Sequence, residues 1–477
     1  MLDPTYLGGR ELARIVRNRE ASSRELVDHF LTRLETHNPA LNAVITLDAE
    51  RARREADQVD AAIAKGDALG ALAGVPMTIK ESLEVSGMRT TSGAPLWKDH
   101  VSSRDATAVA RLRAAGAIVL GKTNVSMFCA DLQSSNPLFG TTNNPWDLTR
   151  TPGGSSGGAA AALAAGLVPL ELGSDIGGSI RVPAGFCGVY GHKPTHGLVP
   201  QRGHLPGPPG QLAEPDLAVV GPLARSAQDL SLVLDLIAGP EDDRAIAYRL
   251  RLPPARAQRL RDYRAAAWLD DPAFPIDAGV RTVLEQAVDT LRHAGLKVEE
   301  ARPDIELRAC YDLYRRLLDP IISSGMPQGL LEGLQTSDAE VKAAFGRNAL
   351  ARHRDWLTAN ETREQLRAKL AQFFTRHDVL LCPINVLPAF EHLHSGTNLT
   401  RTIVVNGQER PYMDLFAWIS LATVGLLPAT AAPVGRTREG LPVGIQIIGP
   451  YLEDRTTIDF AERAAEVLGG FTAPPGF

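Results

Sequence analysis

The residue types able to do covalent chemistry gather in two glycine–serine clusters, Gly153-Gly154-Ser155-Ser156-Gly157-Gly158 and Ser174-Asp175-Ile176-Gly177-Gly178-Ser179-Ile180-Arg181, with Lys80 closing an apolar run upstream. Ordered glycine costs conformational entropy, so doublets beside serines mark backbone that must bend sharply or approach a ligand closely. A serine hydroxyl is a weak nucleophile near neutral pH and needs a neighbouring base. Lysine serves as that base only when held neutral, which burial favours because desolvation penalises the ammonium form. Lys80 follows Leu72-Ala73-Gly74-Val75-Pro76-Met77-Thr78-Ile79, a stretch that predicts a buried strand with the amine at its interior end. A second serine can pass the proton from nucleophile to lysine. The amides of Ile176, Gly177, Gly178 and Ser179 form a run of unhindered donors for a developing oxyanion. Together these parts suit acyl transfer from an amide carbonyl.

With separations of 75 and 24 residues, Lys80, Ser155 and Ser179 resemble the base, the proton-relaying serine and the nucleophile of the amidase signature family of Ser-cisSer-Lys hydrolases. The resemblance runs from Leu41-Asn42-Ala43-Val44-Ile45-Thr46 to Gly440-Leu441-Pro442-Val443-Gly444-Ile445-Gln446. It implies an α/β fold with a large, mixed, twisted β-sheet flanked by helices on both sides, and a cis peptide at Gly154–Ser155. It also implies that Asp175 and Arg181 hold the nucleophile loop in shape, with Ser156 and Ser174 as hydrogen-bonding neighbours. One domain over 1–477 is expected, with an N-terminal helical layer (1–68), a signature core (69–240), a variable and mainly helical pocket region (241–376) and a return to the core (377–477).

The implied activity is hydrolysis of a carbon–nitrogen bond in a small amide, and of esters or carbamates through the same acyl-enzyme, with neither cofactor nor metal. The rival within the family is the ammonia-producing component of a tRNA-dependent amidotransferase. Two departures stand out. Lys80 is followed by Glu81-Ser82-Leu83-Glu84 where many members have Asp, and Asn124-Val125-Ser126-Met127-Phe128-Cys129 lacks the Glu that many carry. The Met127-Phe128 pair and Ser135-Asn136-Pro137-Leu138-Phe139-Gly140 are similar to fatty-acid amide hydrolases. Met127, Phe128 and Gly154 are therefore candidate substrate contacts, with core packing as the competing account of the first two.

Other motifs compete. Gly116-Ala117-Ile118-Val119-Leu120-Gly121-Lys122-Thr123 matches a phosphate-loop string, but its apolar middle predicts a buried strand instead of a loop free to wrap phosphates. Gly153-Gly154-Ser155-Ser156-Gly157 fits the G-x-S-x-G elbow of an α/β-hydrolase esterase, which needs a strand just before the first glycine. Asn144 to Pro152 is turn-rich and does not supply one. The histidines, His192, His196, His204 and His377 among them, stand in no catalytic context and read as surface or hydrogen-bonded structural residues.

Composition sets the bounds. The 477 residues are 44% hydrophobic and 22% charged, which is ordinary globular material. A net charge of −5 offers no footprint for nucleic acid. Cys129, Cys187, Cys310 and Cys382 lie far apart, which predicts neither a zinc site nor a disulfide framework. The sequence opens without a basic, then apolar, leader, and its longest small-residue run, Ala159 to Leu170, is far short of the roughly 20 residues that span a bilayer. A cytoplasmic monomer or homodimer is the expectation.

The elements that must position these residues are legible in outline. Leu7–Arg19 and Ser23–His37 have helical periodicity, the second opening on a Ser22-x-x-Glu25 capping box. Short strands such as Ala117–Leu120 alternate with helices such as Thr107–Ala115, and the alanines of Ala159–Ala165 predict a helix directly after the first cluster. The Pro/Gly-rich segment Arg202–Pro215 is placed at the pocket mouth by its position just after the signature. Asp277–Ala294 and Ala339–Phe374 read as helical. Strands return at Val379–Pro383 and Val443–Ile448, with the polar stretch Asn385–Pro411 between them read as a long surface loop.

Overall fold

Lys80 ends a strand, as its apolar approach predicts. Pro76–Lys80 is buried along its whole length and pairs in parallel with Ile118–Thr123 on one side and Leu170–Asp175 on the other. Strands covered on both faces read as continuous apolar runs, which is why the segment before Lys80 shows no alternation. The strand begins later than the sequence suggests because Gly74 takes a left-handed conformation (φ +77°) close against Ser23, which ends extended structure there.

In the computed structural model, which describes residues 3–477, these strands belong to an 11-stranded mixed sheet. Its spatial order is Val44–Leu47, Ile118–Thr123, Pro76–Lys80, Leu170–Asp175, Val219–Ala224, Tyr190–Lys193, Ala429–Arg436, Pro442–Ile448, Val379–Pro383, Arg264–Ala267 and Lys297–Glu300. Gly157–Ala164 and Arg181–Cys187 pack together on one face of the central strands. Ala227–Ile237, Ala278–His293 and Asp454–Leu468 form a contacting group on the other. The fold is thus α/β with helices on both sides of a mixed sheet. No helix among the described residues is long and apolar enough to cross a membrane.

Local signals explain most element ends. Ser22 Oγ accepts from the Glu25 amide while Glu25 accepts from the Ser22 amide at 2.7 Å, completing the capping box of the helix Ser23–Leu41. Asp277 Oδ1 accepts from the amides of Gly279 and Val280 and starts the helix that follows.

The segment 241–376 is mainly helical and also carries Arg264–Ala267 and Lys297–Glu300, which extend the sheet to its edge. The helical stretch Ala339–Phe374 is two helices, Glu340–Ala349 and His353–Phe373. One expectation needs correcting. Asn385–Pro411 is not all loop. Thr402–Val405 and Gln408–Pro411 form an antiparallel hairpin around Asn406-Gly407, both with positive φ (51° and 77°), the two-residue turn that Asn-Gly favours.

Candidate active site

The strand end places the Lys80 amine between Ser155 and Ser174, with no exposure to solvent. Its Nζ donates to Ser155 Oγ at 2.7 Å, to Ser174 Oγ at 2.9 Å and to the Ser174 carbonyl at 3.4 Å. Burial lowers the Lys80 pKa below the ordinary lysine value, opposed by Cys129, Asp175 and Glu171. Glu171 opposes weakly, since burial raises its own pKa to about 7.

Ser155 follows the cis peptide Gly154–Ser155. Ser134 pins this turn: its Oγ donates to the Gly153 carbonyl at 3.1 Å and the Ser155 carbonyl at 3.2 Å, and accepts from the Gly157 amide at 2.9 Å. Gly154 is buried so tightly that a Cβ there would lie 2.6 Å from the Gln133 carbonyl oxygen. Its glycine identity thus answers to backbone packing, and it lies against residues 131–133 instead of offering open surface.

The second cluster turns around Asp175, the last residue of its strand. Asp175 Oδ1 accepts from the Gly178 amide at 2.9 Å, and Oδ2 from the Ile180 amide at 3.1 Å. This corrects one expectation. The Gly178 N–H is spent inside the loop, whereas the amides of Ile176, Gly177 and Ser179 donate to no protein acceptor among the described residues. Arg181 completes the support. It holds Asp175 through Nε at 3.0 Å and Nη2 at 2.8 Å, and reaches the Ile419 carbonyl, Gln446 Oε1 and Thr423 Oγ1 at 2.8, 2.6 and 2.9 Å. Burial pushes the Asp175 carboxyl up, but the charge and hydrogen bonds of Arg181 more than reverse this and hold it at about 2. Ser156 ties the clusters together by donating its amide to the Ser179 carbonyl at 3.2 Å. Ser179 is 5% exposed, and its hydroxyl makes no hydrogen bond to protein among the described residues.

Met127 and Phe128 lie on a one-turn 3₁₀ segment that follows the Ile118–Thr123 strand. Each is 39% exposed, which removes core packing as their account. Phe128 has positive φ (56°), its amide donates to the Ser92 carbonyl at 2.8 Å, and its ring meets Trp97 edge-on at 5.3 Å.

The competing motifs resolve physically. Ile118–Thr123 is a fully buried strand, and Lys122 donates to the Arg89 carbonyl and Thr90 Oγ1 at 2.9 and 2.8 Å. No strand leads directly into Gly153, since residues 142–152 form turns and irregular structure, so the elbow geometry is missing. His192 is a buried structural residue between Thr430 and Asp454, as its bland context predicts. His204 is different. It bridges to Leu83 beside the lysine strand end, both its ring nitrogens are buried without a protein partner among the described residues, and burial together with Lys80 lowers its pKa to about 3. A lone histidine in a Pro/Gly loop carries no spacing signal, so nothing in the sequence marks it.

The amidase family model matches residues 25–458. The chain belongs to the amidase family. Among its curated relatives is the A-type component of the glutamyl-tRNA(Gln) amidotransferase of Thermus thermophilus, 36% identical over 496 residues, covering 95% of this chain and 96% of that protein. A 6-aminohexanoate cyclic dimer hydrolase is similar in structure at a TM-score of 0.80 and 27% identity, covering 98% of both chains. A bacterial aryl acylamidase of the amidase signature enzymes matches at a TM-score of 0.83, covering 98% of this chain and 97% of that one. At 24% identity that likeness shows the fold alone. As an amidase, the protein is an amidohydrolase acting on carbon–nitrogen bonds.

Proposed function

We propose that this amidase hydrolyses small-molecule amides, and esters or carbamates of similar shape, through an acyl-enzyme on Ser179. The observation that carries the reading is the buried contact of Lys80 Nζ with Ser155 Oγ at 2.7 Å, beside a loop that presents Ser179 and unused backbone amides. A neutral Lys80 takes a proton from Ser155, which takes one from Ser179 as its oxygen bonds to the carbonyl carbon. The carbonyl oxygen becomes an oxyanion facing the amides of Ile176, Gly177 and Ser179. Collapse breaks the carbon–nitrogen bond, and the proton returns through Ser155 to the leaving amine. Water then attacks the ester on Ser179 by the same relay and releases the acid. Ser174, accepting from Lys80, orients the amine; Asp175 and Arg181 hold the loop; Met127 and Phe128 border the leaving-group or acyl side.

Treatment with a fluorophosphonate probe, followed by peptide mass mapping, tests this. A single adduct on Ser179, absent in Ser179→Ala, is expected. An adduct on Ser155 instead would overturn it. The substrate class follows from hydrolysis rates over a panel of anilides, fatty amides, esters and carbamates.

A second reading has its own support, since curated relatives at 32–36% identity over nearly the whole chain are the corresponding components of glutamyl-tRNA(Gln) amidotransferases. Under it, the same relay releases ammonia from an amide donor for a partner chain. Co-purification of a stoichiometric partner from the native host, together with glutaminase activity only in that complex, would favour it over the free hydrolase.

A further inference from the structure

The helix Leu307–Ile322 comes from the least family-like part of the sequence, yet one of its side chains reaches the nucleophile loop. Tyr314 is fully buried, and its hydroxyl donates to the Ile176 carbonyl at 3.2 Å. That carbonyl and the Gly177 N–H are the two ends of one peptide group. In a planar trans peptide they point in opposite directions, so a donor that fixes the carbonyl also fixes the aim of the N–H. The Gly177 N–H has no protein acceptor among the described residues. A hydrogen bond to one end of an amide also polarises the other, and more so where water is excluded.

Two further observations show that this approach is built in. A Cβ on Gly177 would lie 2.8 Å from Tyr314 Oη and 3.1 Å from a ring carbon of Phe416, so the glycine is what admits the hydroxyl. The helix is itself braced next to Tyr314, where Arg315 Nε donates to Asp319 at 2.9 and 3.1 Å and Asn348 Nδ2 donates to the same carboxylate at 2.9 Å. Burial, with Asp175 nearby, raises the Tyr314 pKa well above the ordinary phenol value, so the hydroxyl remains a donor across the working pH range.

We infer that Tyr314 is a positioning residue for the oxyanion donors, acting through the 176–177 peptide and never touching substrate. The inference rests on the reading of Ser179 as nucleophile. An oxyanion forms on attack at amides, esters and fluorophosphonates alike, so loss of the hydroxyl must slow all three equally. A defect in the proton relay must instead penalise amides most.

The test compares Tyr314→Phe with Tyr311→Phe, which removes another buried hydroxyl of the same helix, one that donates to the Met413 carbonyl at 3.2 Å. Steady-state rates on p-nitrophenyl acetate and p-nitroacetanilide, the rate of Ser179 phosphonylation and the Tm are measured for both, with rates normalised to titratable Ser179. Deleting an oxyanion donor outright costs about 10²- to 10³-fold, so weakening one from behind is expected to cost about 10-fold. That loss should appear in kcat for Tyr314→Phe, equally on ester, anilide and phosphonylation, with KM and pH profile unchanged. Tyr311→Phe should lower the Tm and leave kcat alone. Unchanged rates in Tyr314→Phe, or equal losses in the two variants, overturn the inference while an adduct confined to Ser179 leaves the nucleophile reading standing. An adduct that persists in Ser179→Ala overturns both.

Discussion

The amide of Ser156 donates to the carbonyl of Ser179 at 3.2 Å, so the two glycine–serine clusters form one bonded unit instead of two neighbouring loops. The Ser179 loop is thereby tied to the turn that carries Ser155, whose hydroxyl is in turn bonded to Lys80. The site's chemistry then depends on groups that are far from exposed, and each can be tested separately.

In the proposed mechanism Lys80 acts as base only when neutral. Its pKa is lowered by burial, so the neutral fraction rises with pH through that lowered value and falls on acidification. Amide hydrolysis should therefore increase toward mildly alkaline pH. Lys80→Ala should lose about 10²- to 10⁴-fold in kcat/KM on an anilide, the range general base catalysis contributes. The matched ester should lose less, because an alkoxide departs with less help from a returned proton. Near-parental anilide hydrolysis with an unshifted pH profile would rule lysine out as the base.

Asp175→Asn should destabilise the protein by about 3–5 kcal/mol, the usual cost of leaving a buried partner charge unpaired, because Arg181 stays behind in the core. The pH dependence has a definite sign. The folded carboxyl is held at about 2 against an ordinary 3.8, so its contribution is complete above pH 3.8 and is lost as pH falls toward 2. Chemical denaturation between pH 7 and pH 2 should show a larger acid-side loss in the parent than in Asp175→Asn, where the other carboxylates with lowered pKa, Asp28, Asp147 and Asp378 among them, still contribute.

Gly154→Ala places a Cβ 2.6 to 2.7 Å from the carbonyl oxygens of Gln133 and Asp131 and the amide of Gln133, all main-chain atoms that cannot swing aside. Overpacking of this kind costs about 1–3 kcal/mol. The variant should melt lower and lose activity on amides and esters together. A parental Tm and parental kcat would show that the 131–133 backbone yields freely.

Phe128→Ala removes a ring that is 39% exposed and meets Trp97 edge-on, outside the buried core. Its Tm should stay close to the parent's, since exposed substitutions usually change stability by within about 0.5 kcal/mol. KM for aryl or long-chain amides should rise several-fold, of the order a lost aromatic contact of about 0.5–1.5 kcal/mol produces, while KM for acetamide stays unchanged. Equal effects on large and small substrates would remove Phe128 from the pocket wall.

Local pattern determined a good deal by itself. An unbroken apolar run ending in lysine is a buried strand with an amine at its end, and that is where Lys80 lies. Glycines beside serines gave two tight turns, and Ser22-x-x-Glu25 gave a capped helix. The Asn406-Gly407 hairpin was missed, because the polar stretch around it carries no apolar alternation and reads as loop. What local pattern did not decide is which backbone amides remain free and which distant groups hold them. The Gly178 N–H is consumed by Asp175 only because the loop closes on that carboxylate. Tyr314 meets Ile176 across 138 residues, and Arg181 meets Gln446 across 265. Strand and helix formation leave a period in the sequence because neighbouring residues share one face of one element. A single hydrogen bond between elements leaves none, since it depends on how whole helices and strands pack, and that packing exists only in the tertiary structure.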